Sequence, residues 1–165
     1  MLIIIILMNT DILIKRYEYG IDNEMNFYEI LKSYNNNIIK STDKYNWTDF
    51  QLSNDYVNIY FELKTRNVCK NRYKTTILAL NKVQNYLVNK VGNKKNRYYI
   101  IFGFIGDDNK LDYWYIRYNK ELFNTFSVYD VFDQYQNETK RHYLIDVNLL
   151  KPLNGLLEII KNISS

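Results

Sequence analysis

The stretch Trp47-Thr48-Asp49-Phe50-Gln51-Leu52-Ser53-Asn54-Asp55-Tyr56-Val57-Asn58-Ile59-Tyr60-Phe61-Glu62-Leu63-Lys64-Thr65-Arg66 decides how the rest of this chain is read. It predicts a β-hairpin with strands over 46–53 and 56–65, joined by Asn54 and Asp55, residues that tolerate the positive φ of a two-residue loop. Strand residues two apart share a face. Glu62 and Lys64 therefore project together, while Ile59, Phe61 and Leu63 project the other way. Such a loop pairs Ser53 with Tyr56, Leu52 with Val57, Phe50 with Ile59 and Asp49 with Tyr60. Asp49 then shares the face of Glu62 and lies diagonal to it, within side-chain reach. A three-residue loop would slip the pairing by one and turn Asp49 away. An acid and an amine side by side on one strand, beside an acid on the next, can hold a divalent cation and a water. The plainer reading of the same pattern is a surface hairpin with a solvated charged face.

Working outward, a helix is expected from Asp22 to about Ile39, capped by Asp22 or Asn23, with Met25, Tyr28, Ile30, Leu31 and Tyr34 as its apolar stripe. Gly20 would end the preceding element. Leu2–Met8 is strongly apolar but far shorter than the roughly 20 residues of a membrane-spanning helix, and it lacks the flanks of a signal peptide. No stable membrane association is expected of it. Beyond the hairpin, a basic loop (Asn67–Lys74) leads to a second helix over Thr75–Val91, with Ile77, Leu80, Val83, Leu87 and Val91 at helical spacing. Gly92 would stop that helix. Strands are expected over Arg97–Ile105 and Leu111–Tyr118, joined by a turn at Gly106–Lys110. A mixed segment with a short helix, a strand at His142–Val147 and a C-terminal helix to about Ile163 would follow. The order implies an α/β domain with a mixed sheet flanked by helices, and 165 residues suit one domain spanning 1–165.

Composition narrows the chemistry. The chain has 47% hydrophobic residues, five Gly and one Pro, a dense composition without a flexible linker. A single cysteine, Cys69, excludes an intramolecular disulfide and fits a reducing, intracellular compartment. With His142 as the sole histidine, far along the chain, neither a Cys/His zinc site nor a Cys–His nucleophile pair is expected. The net charge of +4 is modest, but Lys64, Arg66, Lys70, Arg72 and Lys74 follow Glu62 without an intervening acid. Lys90, Lys94, Lys95 and Arg97 form a second cluster. Basic segments beside an acid pair suit a phosphate-backbone substrate; the same lysines also serve solubility alone. Tyr113, Trp114, Tyr115 and Tyr118 could stack on bases, although aromatics on strands more commonly pack the core.

Gly20-Ile-Asp-Asn-Glu24 opening a helix, Asp49 on a strand, Glu62-Leu-Lys64 on the next, and a following amphipathic helix with Lys82 and Gln84 together resemble the PD-(D/E)xK nuclease superfamily, which has the restriction-endonuclease-like fold. The resemblance covers roughly residues 20–105. Glu62-Leu-Lys64-Thr-Arg66 followed by Tyr73-Lys-Thr-Thr76 is similar to small viral members, and Holliday-junction resolvases belong to the same superfamily. Thr48 stands where the family usually has proline.

The resemblance implies a Mg²⁺- or Mn²⁺-dependent nuclease acting on DNA, with endonucleolytic cleavage favoured. Asp49 and Glu62 would coordinate the metal, Glu24 would reach it directly or through water, and Lys64 would orient or deprotonate the attacking water. Lys82 is added from its family position, although a helical wheel sets it on the polar side and sets Gln84 inward. Arg66, Lys70, Arg72 and Lys74 would contact phosphates without sequence preference. A homodimer is in keeping with family members that cut both strands. The rival reading is a nucleic-acid-binding or protein-interaction module that keeps the fold without cutting.

Overall fold

A computed structural model describes residues 2–43, 46–90, 95–133 and 137–163, with the backbone alone for 2–13 and 16. The elements in chain order are α1 (Leu2–Tyr34), β1 (Ile39–Lys40), β2 (Phe50–Ser53), β3 (Val57–Arg66), β4 (Thr75–Ala79), α2 (Leu80–Asn89), β5 (Lys95–Ile105), β6 (Leu111–Arg117), α3 (Lys120–Phe123), β7 (Val128–Asp133), β8 (Glu138–Asp146), β9 (Lys151–Pro152) and α4 (Asn154–Lys161). Six strands form a mixed sheet in the order β1-β2-β3-β5-β6-β9, in which only β3 and β5 run parallel. A smaller antiparallel sheet, β4-β8-β7, stands beside it. The architecture is the expected α/β one, a mixed sheet flanked by helices.

The parallel step explains why β3 is central. Its crossover, β4 and α2, covers one face of the large sheet, while α1 and α4 cover the other. Ile59, Phe61 and Leu63 pack with Phe27 and Leu31 of α1 and with Leu156, Leu157 and Ile160 of α4. Tyr60, Tyr98, Ile100 and Phe102 pack on the opposite side with Leu78, Val83 and Tyr86. The face that carries Glu62 is therefore the floor of a second core rather than a solvated surface.

Several element boundaries differ from the sequence expectation, among them the end of α1, which stops at Tyr34 while Ile39 joins β1. Gly20 does not end an element, because α1 runs through it; a side chain there would meet nothing within 4 Å, so the helix loses only the modest propensity of glycine. Asp22 and Asn23 accordingly cap nothing. The buried stripe of α1 is Asn23, Phe27 and Leu31, while Met25 and Tyr34 are exposed. Thr75–Ala79 is a strand rather than the first turns of a helix, because pairing with β8 (Ile77 opposite Leu144) offers its β-branched residues a ladder. Gly92 and Lys94 lie outside the described residues.

The hairpin register also differs, by two residues. Phe50 pairs with Phe61, Leu52 with Ile59 and Ser53 with Asn58. Asn54 causes the slip: its Oδ1 accepts from the backbone N–H groups of Tyr56 and Val57, both at 2.9 Å, and closes a wider turn than the two-residue loop. Since strand faces alternate with period two, a slip of two keeps every side chain on its face. Asp49 moves from diagonal to directly opposite Glu62. Asp55 stays exposed in the turn, as expected.

Candidate active site

Asp49 sits one residue before β2, yet its backbone is tied as a strand residue's would be. Its N–H donates to Phe61 O at 3.0 Å and its carbonyl accepts from Ser41 N–H at 2.9 Å. Thr48 secures this entry. Its buried hydroxyl lies 2.9 Å from Phe61 O and 3.0 Å from Phe50 O, and its carbonyl accepts from the Ser41 hydroxyl at 2.6 Å. The Thr48 hydroxyl thus ties the entry of β2 to β3. The Asp49 carboxylate accepts the Leu63 N–H on Oδ2 at 2.7 Å, which orients it toward the Glu62–Lys64 side of β3.

Glu62 has no solvent exposure. Its Oε1 is approached by two ammonium groups, Lys64 Nζ at 2.6 Å and Lys82 Nζ at 2.7 Å. Its Oε2 is buried and has no hydrogen-bond partner among the described residues. A carboxylate in the middle of a central strand costs the fold dearly unless it is compensated, and here compensation reaches one oxygen only. Burial, then repulsion from Glu62, pushes the pKa of Asp49 from the ordinary 3.8 up to about 7, despite the opposing pull of Lys64 and the Leu63 N–H.

Lys64 answers to the same balance. Desolvation alone would lower its pKa, but the carboxylates of Glu62 and Asp49 outweigh it and leave the pKa above the ordinary value. In this state Lys64 is an ammonium ion and not a base. Beneath the cluster, Tyr98 packs between the two cores' strands and donates its hydroxyl to Lys82 O at 3.4 Å. Burial, reinforced by Glu62 and Asp49, pushes its pKa well up and keeps it protonated.

The cluster opens into a cleft of ≈ 650 Å³ whose polar lining includes Glu24, Lys40, Asp49, Lys64 and Lys82. Glu24 is brought to this cleft, but its carboxylate is held by Lys40 at 2.9 Å. Among the described residues no group of three His, Cys, Asp or Glu side chains comes together to hold a metal. The three acids singled out in the sequence are thus divided into an Asp49–Glu62 pair and a Glu24–Lys40 pair. Lys82 points into the site, and Gln84 does not: Gln84 is exposed and lines a separate hollow with Lys140 and Arg141. The helical wheel misplaced both because α2 begins only at Leu80, after a strand, which rotates its inward face to Val83 and Tyr86.

Of the basic residues expected to grip phosphate, Arg66, Lys70 and Arg72 serve other partners in this state. Arg66 donates to Ile77 O, to Thr76 Oγ1 at 3.3 Å and to Thr65 O at 3.3 Å, and its guanidinium lies 5.7 Å from the Phe102 ring centroid. Burial pushes its pKa down to about 10. Lys70 stands 4.2 Å over Trp114, and Arg72 lies 5.9 Å from the ring of Tyr73. Arg66, Lys70 and Tyr73 line a second hollow of ≈ 290 Å³. Lys74 is exposed, with its backbone carbonyl accepting from Val147 N–H at 3.1 Å. Tyr113 and Tyr115 pack on Phe27 and Tyr99, and Tyr118 packs edge-on to Phe123 at 5.0 Å, so these aromatics are chiefly core.

Sequence reasoning missed Lys40 and the hydroxyl of Thr48. Lys40 lies between the expected first helix and the hairpin, and only the pairing of β1 with β2, which sets Lys40 opposite Phe50, brings it beside Asp49. No local pattern signals that.

No family model and no curated protein matches this chain. Among solved structures, D212, a nuclease from a fusselovirus, is similar to it with a TM-score of 0.45 and 15% identity, over 87% of this chain and 89% of that one. A likeness of that degree leaves function to be argued from side chains. No helix among the described residues is long and apolar enough to cross a membrane.

Proposed function

We propose that this protein is a metal-dependent nuclease that hydrolyses phosphodiester bonds in DNA, cutting within the strand. The observation that carries the reading is the convergence of Asp49, Lys64 and Lys82, which line one cleft, on Glu62, which lies buried behind them with Oε2 unpartnered. A core built for stability alone would replace such a group with a hydrophobe at little or no loss. The donor set fits Mg²⁺ or Mn²⁺. The orphaned Oε2 of Glu62 and the crowding that raises Asp49 both call for positive charge, and Mg²⁺ takes one or two carboxylates while keeping several waters. Asp49 and Glu62 would hold the ion, with Glu24 reaching it only after leaving Lys40.

When bound, such an ion supplies Lewis-acid stabilisation of phosphoryl oxygens and lowers the pKa of a water at neutral pH. The chain's own residues do the rest. Lys64, fixed as an ammonium beside both acids, orients the attacking water and donates to the charge that grows on the phosphoryl group. Lys82 shares Glu62 Oε1 with Lys64 and restrains rotation of that carboxylate, leaving Oε2 available. Asp49 is aimed by the Leu63 N–H. Water attacks phosphorus and gives up one proton to solvent, the bond to one bridging oxygen breaks, and that oxygen leaves with a proton taken from solvent.

The test is cleavage of supercoiled plasmid and linear DNA in Mg²⁺ or Mn²⁺ by the wild type, Glu62→Ala and Lys64→Ala. Loss of cutting in both variants supports the assignment, whereas equal cutting by all three rejects it. A protein that binds DNA with a salt-sensitive affinity, cuts nothing and is indifferent to Glu62→Ala is the non-catalytic module instead.

A further inference from the structure

One wall of the cleft is formed by α1 and carries an apolar ridge beside Glu24. Tyr17, Ile21 and Met25 recur one helical turn apart on α1, followed by Tyr28, so that all four fall within about a quarter of the helix circumference. Tyr17 and Met25 are each 50% exposed and Ile21 is 41% exposed, although the stripe that seats α1 on the sheet, Phe27 and Leu31, is fully buried. Tyr28 is anchored at the inner end, stacked on Phe50 at 6.2 Å and donating to Ile38 O at 3.4 Å. The exposed ridge thus leads down to a fixed aromatic ring beside the acid–lysine cluster.

Among the described residues, the cleft lining as a whole carries as many acids as lysines. Its lysines, Lys40, Lys64 and Lys82, are each engaged by a carboxylate, and the acids Glu24, Asp43 and Asp49 line the cleft with them. Duplex DNA presents phosphates and base edges to a protein and keeps the π-faces of its bases stacked inside. An apolar ridge gains nothing against that surface. An unpaired nucleotide offers a π-face next to its phosphate, and aromatic and apolar side chains recognise such a face whatever the base.

We propose that the Tyr17–Ile21–Met25 ridge receives the base of an unpaired nucleotide whose phosphate lies at Asp49 and Lys64, so that the substrate is single-stranded DNA or the single-stranded part of a branched molecule. This rests on the nuclease reading for the position of the phosphate. The substrate class follows from the ridge, which that reading does not use.

Binding separates the two. Fluorescence anisotropy on the full chain carrying Asp49→Asn compares a labelled single-stranded oligonucleotide, the same sequence as duplex, and an abasic strand of equal length. The expected result is at least fivefold tighter binding of the strand with bases than of either alternative. Adding Tyr17→Ala and Met25→Ala should remove that preference while leaving the circular dichroism spectrum and melting temperature in place. Equal affinity for the three ligands, or a preference unchanged in the ridge variant, overturns the proposal. A dimer in sedimentation that Ile21→Glu dissociates also overturns it, since the ridge then belongs to a second copy. Cleavage by the wild type in Mg²⁺ is read separately. Base-dependent binding without cutting leaves this inference standing and removes the nuclease, and equal cutting of duplex and single strand does the reverse.

Discussion

Lys64 and Arg66 stand two residues apart on the same face of β3 and meet opposite surroundings. Lys64 turns into an acid pair at the mouth of a wide cleft, and its charge balances carboxylates. Arg66 turns into the smaller hollow at the strand's far end, where Thr65 O, Ile77 O and the Thr76 hydroxyl accept from each of its three nitrogens. The first arrangement leaves an oxygen of Glu62 without a partner, and the second gives every guanidinium nitrogen one. Unspent hydrogen-bonding capacity, more than the density of charge in the sequence, separates a site for chemistry from a site for stability.

The sharpest way to break this contrast is to delete the acids. Asp49→Asn and Glu62→Gln should each lower kcat for DNA cleavage by about 10²–10³-fold, the loss that follows removal of one preorganised electrostatic group. Arg66→Ala should leave kcat within about threefold and instead lower stability by about 1–3 kcal/mol, the cost of leaving buried carbonyls unpaired. Urea unfolding followed by circular dichroism measures that loss. If Arg66→Ala abolishes cutting while folding normally, the division between the two regions is wrong.

The pH dependence of stability sharpens the same contrast. The folded-state pKa of Asp49, about 7, lies above its ordinary 3.8, so between these values the folded protein keeps a proton that the unfolded chain has released. By linkage this group's contribution falls as pH rises through about 4 to 7. In metal-free buffer the melting temperature should therefore decline from pH 5 to pH 8 more steeply in the wild type than in Asp49→Asn. Saturating Mg²⁺ should flatten the wild-type decline. The smallest effect concerns salt. With Lys40, Lys64 and Lys82, the cleft lysines among the described residues, already paired, log affinity for a single strand should fall with log salt concentration at a slope of only about −1 to −2, corresponding to roughly two neutralised phosphates at about −0.7 each. A much steeper slope would return Lys70, Arg72 and Lys74 to the phosphate contacts expected of them.

Much of this was legible in the letters because period-two patterning survives errors of detail. The loop at Asn54 was misjudged and the register slipped by two, yet Asp49, Glu62 and Lys64 kept their common face, since parity and not pairing decides that. The order of strands and helices, and hence the mixed sheet, followed from hydrophobic runs and turn residues. Boundaries were lost where tertiary pairing overrode local pattern: Thr75–Ala79 fits a helical stripe, but β8 supplied a ladder for it. The partners of charges were the least legible. That Glu24 belongs to Lys40, that Arg66 belongs to backbone carbonyls and that Gln84 faces solvent each depend on elements distant in sequence. The cluster of basic residues after Glu62 was visible, but its engagement was not.

The central claim is that Asp49 and Glu62 form an acid pair in want of a divalent ion. Thermal unfolding of the wild type, Asp49→Asn and Glu62→Gln with increasing Mn²⁺ or Mg²⁺, against matched ionic strength in a monovalent salt, tests it most directly. A ligand bound only by the folded state raises the melting temperature progressively with its concentration. The account expects that rise in the wild type and its loss in both variants. No rise in the wild type, or the same rise in all three proteins, would contradict it.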